Sequence, residues 1–189
     1  MNSKQKGKRG ENELVHILNA KFGEGKFKRV PFSGAITGGK NRAANENFEM
    51  KEAYTSDIAA PSNFNFVIEH KFYEEVNFWG LFSDKSKWNE WINQVGEDAK
   101  FIKKVPLLVI KYNRHKRITL VPYMYITGYA INKDSEPYYD FQKINNDLVA
   151  KIHAMARNFI WKGYSIVELE DLLNLPKDFW FEIKTEILT

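Results

Sequence analysis

The chain has 189 residues, 43% of them apolar and 28% charged, with a formal charge of +4 and no cysteine. That composition is one of a globular domain large enough to bury a core, and it excludes thiolate zinc sites, cysteine nucleophiles and a disulfide framework. The longest strongly apolar run, 105–110, is far too short to span a bilayer, and the basic N-terminus lacks the apolar stretch of a secretion signal, so a cytoplasmic protein is expected.

Charge is unevenly spread. Residues 1–42 hold ten Lys/Arg against three acids, 43–133 twelve against eleven, and 134–189 six against ten. A basic front suits a polyanionic partner such as nucleic acid, although a merely solvated basic face would read the same way. His16, His70, His115 and His153 are scattered without zinc-ligand spacing, so any metal is expected on oxygen donors.

In chain order, residues 10–22 place Leu14, Ile17, Leu18 and Phe22 on one stripe of an amphipathic helix. Glu11 falls in the first turn of that helix, where an acid favours the helix dipole; Glu11 or Glu13 could instead face a site as a metal or water ligand. Residues 26–32 read as a short strand leading to Ser33-Gly34, with Arg29 and Ser33 placed like phosphate contacts at a turn. Residues 35–56, with Gly38-Gly39 and several Asn, read as a long loop able to touch a substrate.

The central stretch is 63–73, NFNFVIEHKFY. Alternation in a strand sends Phe64, Phe66, Ile68, His70 and Phe72 to one face and Val67, Glu69 and Lys71 to the other. A carboxylate and an ammonium side by side in so apolar a strand need partners: an ion pair, or a divalent metal on Glu69 with Lys71 beside an activated water. Asp57 opens a short apolar run, and Pro61-Ser62-Asn63 is a turn signal. Residues 57–60 and 64–72 therefore read as a hairpin that brings Asp57 to Glu69. His70, on the Phe-rich face, reads as a hydrogen-bonded core histidine.

Residues 77–82 form an aromatic connection, and 83–104 the clearest helix, with Trp88, Trp91, Ile92, Val95, Ala99 and Ile102 as its stripe and Ser83 or Ser86 as cap. Gln94, near that stripe, could reach the site but reads first as an ordinary helix-surface amide. Residues 106–112 are an interior strand, 111–117 a basic turn whose Arg114, Lys116 and Arg117 either meet phosphates or form a solvated tip, and 118–125 the next strand. Residues 139–161 read as a helix, with shorter elements at 166–173 and 179–188. No repeat or linker divides the chain.

The order helix with early Glu, strand, acidic strand, Glu-x-Lys strand, helix, strand resembles the PD-(D/E)XK nuclease superfamily, and within it the archaeal-type Holliday junction resolvases, which phages also encode. The residues that carry the resemblance are Lys6-Gly7-Lys8-Arg9-Gly10-Glu11-Asn12-Glu13-Leu14-Val15, Arg29-Val30-Pro31-Phe32-Ser33-Gly34, Ser56-Asp57-Ile58 and Glu69-His70-Lys71, over about 6–112. The resemblance implies an α/β fold with a restriction-endonuclease-like mixed central sheet flanked by helices. The core would span about 6–126 of a single nuclease domain, with a mainly helical extension, 127–189, packed on the core or on a partner subunit.

It further implies that Asp57 and Glu69 bind Mg²⁺ or Mn²⁺, that Lys71 orients or activates the attacking water, and that Glu11 supports metal or water. Lys6, Lys8, Arg9, Arg29, Ser33, Lys40, Arg42, Arg114, Lys116 and Arg117 become the expected DNA contacts, and a homodimer acting on branched DNA the expected assembly. Ser56 stands where the family often has proline, and 35–56 and the tail are additions to its compact core. A restriction-like or repair nuclease on duplex DNA or ends, or a non-catalytic DNA-binding protein keeping the fold, remain alternatives.

Overall fold

The computed structural model describes residues 3–31, 55–75, 78–83, 86–133, 154 and 159–181. The loop expected at 35–56, with Lys40 and Arg42, and Ser33 before it, lies outside the described residues, as does nearly all of the helix expected at 139–161.

Helix α1, Ser3–Phe22, buries Leu14, Leu18 and Phe22 as the stripe requires. It begins well before residue 10, continuing through Gly7 and Gly10. This corrects the helix-dipole account of Glu11, since no acid occupies the first turn of the helix. Beyond α1 the chain makes only a brief strand, β1, Lys28–Arg29. Its entry is held by Asn19, whose side chain accepts from the Phe27 N–H (2.8 Å) and donates to the Phe27 carbonyl (3.0 Å), replacing ladder bonds with side-chain ones.

Strand β2, Ile58–Ala59, pairs antiparallel with β1, not with the strand that follows it. The expected hairpin ladder between 57–60 and 64–72 is therefore absent: after the turn at Pro61 the chain leaves the β1–β2 pair and enters a separate sheet. That sheet has five described strands in the order β3-β4-β5-β7-β6: β3 Phe66–Tyr73, β4 Val105–Tyr112, β5 Arg117–Pro122, β6 Ile160–Trp161 and β7 Tyr164–Glu168. β3 and β4 are parallel, joined by a 3-10 turn, Phe78–Phe82, and by helix α2, Lys87–Ile102, while the other pairings are antiparallel. A mixed sheet flanked by helices is the architecture expected. The continuous apolar run of β4 is explained by its place between β3 and β5, buried on both faces.

Two corrections concern the later chain. The strand expected to reach residue 125 stops at Pro122, and Tyr123 starts helix α3, Tyr123–Lys133, with its N–H spent on the Gly163 carbonyl at 2.8 Å. Residues 160–161, read as the end of a long helix, are strand β6, where Trp161 is buried and donates from Nε1 to the Leu81 carbonyl (2.8 Å). The tail thus adds two strands to the central sheet before the short helices α4, Leu169–Leu173, and α5, Lys177–Phe181.

The sheet separates two apolar layers, and β3 contributes to both by alternation. Phe64, Phe66 and Ile68 join Leu14, Leu18, Leu107, Val109, Phe179 and Trp180 on the α1 side. Val67 joins Trp88, Trp91, Val95, Leu108 and Ile110 beneath α2. Each fully buried side chain of this size contributes about 1.5–3 kcal/mol, so α1 and α2 are fixed firmly against opposite faces of the strand that carries Glu69 and Lys71.

Candidate active site

Glu69 projects from β3 toward α2 and is only 3% exposed. Its Oε1 accepts from Lys71 Nζ at 2.5 Å and from Gln94 Nε2 at 2.8 Å, while Lys71 Nζ also donates to Gln94 Oε1 at 3.2 Å. The three side chains form a closed ring across β3 and α2. Gln94 is therefore not an ordinary surface amide. The sequence offered one clue: it adjoins Val95 and follows Trp91 by three residues, on the edge of the buried stripe.

Asp57 reaches the same strand by another route. Its Oδ2 accepts the backbone N–H of His70 at 2.9 Å, and its own carbonyl accepts from Val30 N–H at 2.9 Å. Ser56 Oγ donates to the Ile58 carbonyl at 2.6 Å and stiffens the approach. The expectation that Asp57 comes beside Glu69 holds, by a carboxylate on a strand edge and not by strand pairing. On α1, Glu11 Oε2 lies 3.3 Å from Arg29 Nε, with both side chains mostly buried.

The electrostatics show how tightly these groups are gathered. Burial, reinforced by the charge of Asp57, pushes the Glu69 carboxyl up to about 8, against the opposing pull of Lys71. Burial and Asp57 also raise Glu11, opposed by Arg29, Lys71 and Lys8. Burial works against the Lys71 ammonium, but the charge and hydrogen bond of Glu69 outweigh it and hold its pKa above the ordinary value. Lys71 is thus a cation and donor at neutral pH.

Such a set suits a hard divalent cation. The donors are carboxylate oxygens, and two of them are held in unfavourable proximity that a cation relieves. Among the described residues no three acidic or imidazole side chains form a closed metal cage. Mg²⁺ commonly takes one or two carboxylates and completes its shell with water and phosphate, so Asp57 and Glu69 fit an open site better than a caged one.

His70 is buried in the core as expected, but neither ring nitrogen has a hydrogen-bond partner among the described residues. Burial first, then Arg117 and Lys71, depress its pKa to about 3, so the ring is a neutral packing element.

The basic residues divide. Lys8 is exposed near Glu11, and Arg29 pairs with Glu11. Arg9 is exposed and bonded to Glu13. Lys6 is instead buried, 3.4 Å from Glu74 and with Nζ 5.0 Å from the Phe72 ring centroid. Arg114, at the β4–β5 turn in a left-handed conformation (φ 63°), is exposed at the end of the sheet toward which β3 runs. Lys116 pairs with Glu168 on the surface. Arg117 is neither a solvated tip nor a free phosphate contact: it is buried in β5 and donates from Nη2 to Glu13 Oε2 at 2.7 Å, tying the sheet to α1. Glu13 consequently serves the ion pairs with Arg9 and Arg117.

Among the described residues no helix is long and apolar enough to cross a membrane. Neither curated proteins nor solved structures yield a match. A family model described as "Phage putative PDDEXK endonuclease" matches residues 2–169, from α1 through the seven described strands. PD-(D/E)XK nucleases generally use divalent metals, in keeping with the oxygen donors gathered on β3. The chain belongs to this phage PD-(D/E)XK endonuclease family.

Proposed function

We propose that this protein is a phage-encoded, metal-dependent DNA endonuclease in which Asp57 and Glu69 hold Mg²⁺ or Mn²⁺, Lys71 contacts the attacking water, and Glu11 supports the site. The observation that carries the reading is the ring formed by Glu69, Lys71 and Gln94 with Asp57 anchored to the same strand. A divalent cation there supplies a more acidic water and charge stabilisation for the phosphoryl oxygens. Lys71, protonated and fixed by two acceptors, donates to a water poised for in-line attack and offsets negative charge as the phosphodiester bond breaks. Gln94 positions both partners, and Arg29 with Lys8 brings positive charge beside Glu11 for the DNA backbone. The whole chain acts as one nuclease domain in the cytoplasm of the host.

The finer reading is a homodimer that resolves four-way junctions, supported by the order of the Glu11, Asp57 and Glu69-x-Lys71 motifs. The test is cleavage of a labelled synthetic junction beside duplex, single-strand and flap controls, with Mg²⁺, Mn²⁺ or EDTA. Paired symmetric nicks that need metal and vanish in Glu69→Gln and Lys71→Ala are expected. Metal-dependent cutting of the controls alone would remove junction specificity. Tight binding without cutting of any DNA would replace the nuclease with a silent binding protein.

A further inference from the structure

Between β3 and α2 the 3-10 turn Phe78–Phe82 divides its residues by burial. Leu81 is buried and joins Trp88 and Trp161 in the apolar layer beneath α2. Trp79 and Phe82 are instead 78% and 71% exposed. Side chains three residues apart eclipse in a 3-10 turn, so the two rings share one face, with centroids 6.2 Å apart.

The turn is anchored and cannot fold over to hide them. Trp161 Nε1 donates to the Leu81 carbonyl at 2.8 Å, the Ser83 N–H to the Gly80 carbonyl at 3.1 Å, and Asn89 Nδ2 to the Ser83 carbonyl at 3.0 Å. A tryptophan and a phenylalanine of that exposure leave about 300 Å² of ring open, given the 150–250 Å² that each such side chain can bury. Rigid aromatic anchors of this kind carry most of the energy of protein contacts, and patches of this size are often functional.

Charge and area favour a second copy over nucleic acid. Residues 74–87 carry three acids, Glu74, Glu75 and Asp84, against Lys85 and Lys87. That rim gives a polyanion no net attraction, whereas both signs can pair across the two-fold axis of a contact between identical chains. Two copies facing each other cover about 600 Å² of ring, an apolar centre for a standard interface of about 1,600 Å².

We infer that Trp79 and Phe82 are the centre of a two-fold contact with a second copy of this chain. This gives a surface to the homodimer proposed above. The contact falls on the connection between the elements that carry Glu69, Lys71 and Gln94, so it sets the spacing of two nuclease centres; for that consequence alone it rests on the nuclease reading.

The test is sedimentation velocity over a dilution series of the full chain, without DNA or metal, beside acrylamide quenching of tryptophan fluorescence. Trp88, Trp91, Trp161 and Trp180, the other tryptophans of the sequence, are all buried, so quenching reports on Trp79. Wild type is expected to dimerise on concentration, with quenching falling in step. Trp79→Ser and Phe82→Ser should each melt no lower than wild type and weaken the dimer at least about 30-fold, the scale of losing one aromatic anchor. In Phe82→Ser, Trp79 should stay quenchable at concentrations that protect it in wild type. Should one variant melt lower, the other carries the comparison, and the wild-type quenching stands in either case.

A monomer at every concentration, a dimer in which Trp79 stays open, or full dimer strength in a folded variant overturns the surface. So does protection of Trp79 in the monomer, which would put another segment of the chain on the rings, or protection by added DNA alone, which would make them a nucleic-acid contact. Cleavage with Mg²⁺ or Mn²⁺ reads the nuclease separately. A dimer centred on Trp79 that cuts no DNA keeps the surface and refutes the nuclease, whereas cutting by a chain that stays monomeric refutes the surface alone.

Discussion

Gly7 and Gly10 lie one turn apart on α1, and replacing each with alanine should move stability in opposite directions. In a helix interior, glycine to alanine normally gains about 0.5–1 kcal/mol through backbone entropy. At Gly7 nothing opposes that gain, because the added methyl meets only Glu11 Oε1 at 3.9 Å. At Gly10 the same methyl would sit 2.4 Å from His70 Cε1 and 2.8 Å from Phe72 Cδ1, closer than carbon atoms approach. His70 is buried and cannot swing out, so α1 must lift from β3, an overpacking that costs about 1–3 kcal/mol.

The net for Gly10→Ala is a loss of up to about 2.5 kcal/mol, a fall in Tm of up to about 10 °C for a chain of this size, against a rise of about 1–4 °C for Gly7→Ala. Thermal unfolding followed by circular dichroism measures both. In a His70→Ala background the Gly10→Ala penalty should shrink without vanishing, because Phe72 Cδ1 still lies 2.8 Å from the added methyl, giving a coupling of about 0.5–1 kcal/mol. A Tm for Gly10→Ala equal to or above that of Gly7→Ala would show that α1 is not seated on His70, and the placement of Glu11 beside β3 would fall with it.

Other outcomes follow from the site. Glu69 carries a folded-state pKa of about 8 against an ordinary 4.5, so the metal-free protein binds more protons than its unfolded chain and loses stability as pH rises through that window. Glu11 is shifted in the same direction. His70, depressed to about 3, has the opposite slope but only below its ordinary 6.5. Denaturant midpoints in EDTA should therefore decline between pH 6.5 and 8, and Glu69→Gln should flatten most of that decline; an unchanged slope would remove Glu69 as its source. Gln94→Leu should fold normally yet lose about 10- to 100-fold in metal affinity or activity, read from the metal dependence of cleavage. Wild-type metal dependence in that variant would make the ring incidental.

Arg117→Met breaks a buried pair whose partner Glu13 is 37% exposed, so about 2 kcal/mol is expected, less than for a fully buried pair. Its DNA affinity should keep the salt dependence of wild type, whereas Arg114→Ala should reduce the salt slope with no change in Tm. The reverse pattern would place Arg117 on the DNA.

The alternation of 63–73 and the stripe of α2 were readable because burial follows the strand and helix periods directly, and both layers of the core show it. Gly7 and Gly10 hid the true start of α1, since propensity discourages glycine within a helix, while packing against His70 and Phe72 demands it at position 10 alone. Asp57 was correctly brought to β3, yet its route was not readable: a side-chain bond to a strand edge leaves no periodic trace. Gln94 is separated from Glu69 by 25 residues, and only the crossover joining parallel strands brings them together. β6 is short and closes a segment with helical spacing, so local pattern favoured the wrong period there, and β7 is too short to declare one.

The bond from His70 N–H to Asp57 Oδ2 has a consequence for how this family can vary. Every residue except proline offers the same main-chain donor, so the acid is registered by a feature that substitution at position 70 leaves intact. Drift in the residue between Glu69 and Lys71 can change the surface that α1 packs on while Asp57 keeps its bond to β3. The register of Asp57 on β3 and the packing of α1 on the residue at position 70 are therefore separable under selection, with proline there as a change that strikes both.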